Sequence, residues 1–63
     1  MTINAKLKDY LTQKGIKAAF ITEKTGFTSS QLSNMLNGKR KITAEELSKI
    51  CKALNVNADI FFD

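Results

Sequence analysis

The densest run of short hydrogen-bonding side chains lies between residues 28 and 41: Thr28, Ser29, Ser30, Gln31, Ser33, Asn34 and Asn37, followed by Lys39, Arg40 and Lys41. Each hydroxyl or carboxamide can both donate and accept over a short reach, and no carboxylate interrupts the run. Such groups suit base edges in a major groove, where Asn can pair with adenine N6 and N7 and Ser can serve either kind of partner. The cationic tail suits a phosphate backbone. Catalysis would need other residues. Histidine is absent and cysteine occurs once, which excludes a four-ligand zinc site, a Cys/His nucleophile pair and an intramolecular disulfide. The only carboxylates are Asp9, Glu23, Glu45, Glu46, Asp59 and Asp63, and the adjacent Glu45 and Glu46 are explained by a helix start. A chain of 63 residues also has little mass for a substrate pocket. No enzymatic activity, no cofactor and no metal are expected.

The elements that must position this run are short helices. Apolar residues recur at three and four rather than two, proline is absent, and there is no internal repeat or low-complexity stretch. Ile3, Leu7, Tyr10 and Leu11 form one face of a first helix over about residues 3 to 13, stopped by Gly15. A second begins with Ile16, Ala19 or Phe20, and Ile21, and ends at Gly26. Thr28 with Gln31 matches a capping box, so a third helix starts at Ser29, keeps Leu32, Met35 and Leu36 on one side, and stops near Asn37 and Gly38. At about 100° per residue, Met35 and Leu36 fall within about 60° of Leu32, while Ser30, Asn34 and Asn37 lie opposite with Gln31 and Ser33 on the flanks. Thr43 with Glu46 repeats the capping box before a fourth helix, with Leu47, Ile50, Cys51 and Leu54 inward and Ser48, Lys49 and Lys52 outward. Asn57 can cap a last turn carrying Ile60, Phe61 and Phe62.

No helix of this length stands alone in water, so each must bury its stripe against the others. The expectation is a compact all-α, five-helix domain spanning residues 1–63, with Leu7, Leu11, Ile16, Ile21, Phe27, Leu32, Leu36, Leu47, Ile50 and Leu54 as its core and Cys51 an inert buried thiol. Hydrophobic residues at 43% and charged residues at 25% are globular proportions. A single thiol and the lack of any membrane-length apolar run or signal-peptide pattern fit a cytoplasmic protein with no membrane partner.

The net charge of +4 is unevenly spread. Residues 1–23 carry +2, from Lys6, Lys8, Lys14 and Lys17 against Asp9 and Glu23. Residues 45–63 carry −2, from Lys49 and Lys52 against Glu45, Glu46, Asp59 and Asp63. Residues 24–44 hold Lys24, Lys39, Arg40 and Lys41 and no acid. That middle segment is where a polyanion would dock, although a basic surface is also the ordinary solvated face of many soluble domains.

The run from Ile16 to Ile42, with Gly26 closing the second helix and Asn37-Gly38-Lys39-Arg40 closing the third, resembles the helix-turn-helix of the phage Cro and repressor type, also called XRE-like. Leu7 and the pattern Leu47-x-x-Ile50-Cys51-x-x-Leu54-Asn55-Val56 extend the likeness over nearly the whole chain. The resemblance implies a lambda-repressor-like fold in which the third helix enters the major groove by its N-terminal end, the second crosses the backbone, and two subunits read half-sites about one DNA turn apart. It implies base contacts from Ser29, Ser30, Ser33 and Asn34. Phosphate contacts are implied for Thr28, Gln31, Asn37, Lys39, Arg40 and Lys41, joined by Lys17 and the free amides at the start of helix two. Capping alone also accounts for Thr28 and Gln31.

Three departures from the family pattern carry expectations. A phosphate-clamping Gln that commonly begins helix two is Ala18 here. An Arg late in helix one and a Glu ending helix three, paired inside many members, are Leu11 and Leu36, so these two are expected to touch. Phe20 replaces a usually polar residue, and either packs on helix one beside Tyr10 or belongs to a partner surface.

Four cations on phosphates give only weak non-specific binding at physiological salt, so one subunit is not expected to suffice. Phe61 is assigned to the core and Ala58, Ile60 and Phe62 to a two-fold homodimer interface matching a palindromic double-stranded operator. The expected function is a sequence-specific transcriptional regulator, a repressor in its simplest form. The alternative is a protein-interaction module of the same fold, an antitoxin, antirepressor or adaptor whose protein partner meets Phe20 and the Phe61-Phe62 end.

Overall fold

In the computed structural model, which describes residues 2–62, the apolar periodicity resolves into α1 (Ile3–Lys14), α2 (Ala18–Thr25), α3 (Ser29–Leu36), α4 (Ala44–Leu54) and a closing 3-10 turn (Ala58–Phe61). The starts are set by hydroxyls. Thr2, Thr28 and Thr43 are extended residues whose side chains accept from the amides of Ala5, Gln31 and Glu46. At Thr43 the box is complete: the Glu46 amide donates to the Thr43 hydroxyl at 3.1 Å and the Thr43 amide donates to Glu46 Oε1 at 3.0 Å.

The stops are left-handed residues. Gly38 has φ +75°, the Lys39 amide donates to the Asn34 carbonyl at 2.9 Å, and the Gly38 amide donates to the Met35 carbonyl at 3.3 Å. This is the Schellman arrangement, which satisfies the last carbonyls of α3 and turns the chain sharply toward α4. Of the two residues expected to stop the helix, Gly38 alone takes the positive φ; Asn37 stays at φ −89°. Asn55 ends α4 in the same way at φ 59°, a conformation Asn tolerates better than other side-chain-bearing residues.

Three corrections to the expected boundaries have local causes. Helix α2 begins at Ala18, because Lys17 is extended at φ −78°, ψ 145°; Ile16 therefore packs from a connecting segment. The expected fifth helix is a 3-10 turn of four residues. Asn57 stands at its cap position, but its side chain makes no capping bond.

Leu7 and Leu11 of α1, Ile21 of α2, Leu32 and Met35 of α3, Leu47, Ile50 and Cys51 of α4, and Phe61 of the turn form one buried cluster. Among the described residues no polar or charged side chain is buried. Ile16, Phe27, Leu36 and Leu54, expected in the core, are half-buried around it, while Met35 and Phe61 fill its centre. Tyr10 meets Phe61 edge-on at 5.5 Å between ring centroids. Leu11 is buried and Leu36 half-buried against the same cluster, and α1 packs on α3. The Cα radius of gyration, 10.4 Å, is that of a fully collapsed chain of this length, about 11 Å. Among the described residues no helix is long and apolar enough to cross a membrane.

Candidate nucleic-acid interface

Helix α3 spends its apolar side on the core through Leu32 and Met35, both fully buried, and so must turn its other side outward. Ser30 and Ser33 are exposed and Asn34 is half-buried on that side, and Ser29 is exposed at the N-terminal end of the helix. Thr28 and Gln31 flank them, one exposed and one half-buried. The Thr28 hydroxyl accepts from the Gln31 amide at 3.0 Å. The Gln31 side chain does not complete a box with the Thr28 amide; it lies near the Glu46 carboxylate and helps to hold its pKa down.

The cationic loop lies at the other end of the same helix. Lys39, Arg40 and Lys41 are exposed, as is Asn37. Asn37 bridges the two groups of candidates, donating through Nδ2 to Ser33 Oγ at 3.2 Å and accepting at Oδ1 from Lys8 Nζ at 3.4 Å. Lys8 thereby joins the edge of the site from α1, a residue the linear charge pattern did not distinguish from other lysines.

Two further residues shape the site, and both were missed as site residues in the sequence. Asn4, on the first turn of α1, donates through Nδ2 to the carbonyls of Met35 at 2.6 Å and Arg40 at 2.9 Å. Both hydrogens of one amide group are used to fasten the end of α3 and the cationic loop to α1. Glu46, read in the sequence as a cap, also accepts from Arg40 Nη2 at 2.6 Å. The donated Thr43 amide holds its carboxyl below the usual range, helped by the Arg40 guanidinium and opposed by partial desolvation. The segment 24–44 contains no acid in the chain, yet folding brings one onto Arg40. The Arg40 side chain is still 40% exposed and keeps donors for another acceptor.

At the start of α2, Lys17 is exposed and no side chain caps the helix, which leaves the amides of Ala18 and Ala19 without an intrahelical acceptor. A backbone anion contact is available there even though the side chain at Ala18 offers none.

The remaining candidates divide over the surface. Ile60 and Phe62 are 49% and 51% exposed and Ala58 is half-buried. Ala58 and Phe62 border one recess with Leu47 and Val56, whereas Ile60 borders another with Tyr10 and Gln13. Phe20 is 42% exposed and does not sit beside Tyr10; it lies with Ile16 and Leu54, under the Lys24 ammonium at 5.7 Å. The ring contact of Tyr10 is with Phe61. Among the described residues no group of potential ligands could hold a metal ion.

No curated protein and no solved structure matches the chain. The match lies at the level of family: the model described as the Cro/C1-type HTH DNA-binding domain covers residues 6–60, from the end of the first turn of α1 through α2, α3 and α4 to Ile60. The chain therefore belongs to the Cro/C1-type helix-turn-helix DNA-binding family.

Proposed function

We propose that this chain is a sequence-specific transcriptional repressor with a lambda-repressor-like fold, acting in the cytoplasm as a homodimer on a palindromic operator, with α3 in the major groove. The observation that carries the reading is the outward side of α3, where Ser29, Ser30, Ser33 and Asn34 present uncharged donors and acceptors beside Lys39, Arg40 and Lys41. Solubility alone would favour Glu and Lys there, and carboxylates would repel phosphates on either side of a groove. Family membership supports DNA binding in general. Base reading falls to Ser29, Ser30, Ser33 and Asn34. Backbone contact falls to Lys17, Thr28, Gln31, Asn37, Lys39, Arg40 and Lys41.

The half-exposed side chains Ile60 and Phe62, with Ala58, are the surface assigned to the two-fold contact. A concentration-dependent equilibrium between monomer and dimer is expected by sedimentation, and a monomer at high micromolar protein refutes the assignment.

The mechanism is tested by enriching bound duplexes from a random pool and then comparing two variants on the selected site. Asn34→Ala should cost about 1 to 3 kcal/mol on the selected sequence and relax its preference at one position. Arg40→Ala should weaken binding to all sequences and shallow the salt slope by about one unit. No enriched sequence, or identical behaviour of the two variants, overturns the reading.

A further inference from the structure

The seam between α2 and α4 carries a surface that the DNA reading touches only at one edge, through Lys17 and the Ala19 amide. A largely apolar groove of about 570 Å³ opens there, lined by Ile16, Ala19, Phe20, Ala53 and Leu54, with one cation, Lys17, and one carboxylate, Glu23, also bordering it. Ala53 is shared with a second recess lined by Lys24, Lys49 and Lys52. No α3 residue lines either recess. The charge count along the chain hid this cluster, because Lys24 belongs to the basic middle and Lys49 and Lys52 to an acidic end. Among the described residues no carboxylate pairs with any of the three. Lys24 and Lys49 instead rest their ammonium groups near the rings of Phe20 and Phe27, at 5.7 and 5.9 Å. Those contacts are weak at exposed sites and leave the charges open to a stronger partner.

An aromatic side chain 42% exposed above an apolar floor calls for an apolar anchor, and three adjacent lysines call for carboxylates. A phosphate backbone meets only the second demand. A second copy docked symmetrically would set the lysine cluster against itself, which like-charge repulsion disfavours. We propose that the α2–α4 seam is the docking site for an acidic amphipathic helix of a partner protein. Its large apolar residues, at three- and four-residue spacing, fill the groove beside Phe20 while its Asp and Glu residues meet Lys24, Lys49 and Lys52. The proposal stands independently of what α3 reads.

The test uses the full chain, immobilised and panned against displayed amphipathic peptides with fixed Leu and Phe positions and a polar face randomised over acidic, basic and neutral residues. Enriched peptides should be acidic. The best of them, titrated into isotope-labelled protein, should move the amide resonances of Ala19, Phe20, Ala53 and Leu54. Phe20→Ser should weaken binding by about tenfold or more, and so should Lys24→Glu combined with Lys52→Glu. Raising salt should weaken the wild-type complex more than that of the charge-reversed variant. Several results overturn the proposal: no enrichment, enrichment without acidic bias, or shifts that map to α3 and residues 39–41, as expected of a phosphate mimic. Shifts at Ile60 and Phe62, or equal affinity for non-specific duplex at the seam, overturn it as well.

Discussion

Replacing Asn4 by Asp sets two physical effects against each other, and the structure decides which one dominates. Asn4 is the second residue of α1, after the Thr2 cap and Ile3. Judged by helix chemistry alone, a carboxylate in that first turn should stabilise the protein by about 0.3 to 1 kcal/mol through the helix dipole. The tertiary contacts reverse the sign. The Asn4 amide donates at 2.6 and 2.9 Å to two carbonyl oxygens that a carboxylate can only repel. Losing two hydrogen bonds costs about 1 to 3 kcal/mol, as Asn4→Ala should show, and the repulsion adds to it. Asn4→Asp should therefore be less stable than Asn4→Ala at neutral pH, by urea or thermal denaturation. The pH dependence supplies a second check. The charged form of the new carboxylate is disfavoured in the folded state, so its folded pKa lies above the unfolded value of about 3.9. Its penalty is present at neutral pH and disappears as pH falls through that raised value, so the gap between the two variants should narrow in acid. Wild-type stability for Asn4→Asp at pH 7 would refute the latch between α1 and the loop.

Other perturbations follow from contacts already described. Glu46 has a folded pKa below its ordinary value, so the stability it contributes is present above about pH 4.5 and is lost as pH falls through the lowered value. Denaturation of wild type and Glu46→Gln across that range should converge in acid. Glu46→Gln should also free Arg40, raising non-specific duplex affinity by a factor read directly in a filter or anisotropy titration. Met35→Ala should destabilise by about 2 to 5 kcal/mol because the side chain is fully buried, whereas Ser33→Ala should change stability by less than about 0.5 kcal/mol. Burial raises the Cys51 thiol pKa, so labelling by a thiol reagent should be slow in the native state and accelerate with urea in step with unfolding.

Most helix ends were legible because their signals are local. A Thr three residues before Gln or Glu, and Gly or Asn after an apolar stripe, act within one turn of chain. The start of α2 had no such signal: Lys17 is not a capping residue, and the spacing of Ile16 with Ala19 and Phe20 imitates a helical face. Spacing also could not choose between the neighbours Met35 and Leu36, since either continues the stripe of Leu32; packing buries the first and leaves the second at the edge. The exposed face of α3 was readable for the same reason that its core face was. Asn4 was not, because its partners lie 31 and 36 residues away and nothing in its neighbourhood marks it. Glu46 was misread in part: its local cap was correct, while its bond to Arg40 reaches back across the loop. The lysine cluster on the α2–α4 seam escaped for a related reason, since charge summed along the chain does not see which helices become neighbours.

Helix α3 has eight residues and contributes two of the nine side chains in the buried cluster. A helix so short has no existence apart from the body that it helps to build. The surface proposed to meet a duplex is thus the reverse of a structural beam, and any loosening of the interior would withdraw that edge in the same step. Occupancy of DNA then becomes a gauge of the folded fraction, and a bound duplex should in turn raise the melting temperature in proportion to the logarithm of its concentration.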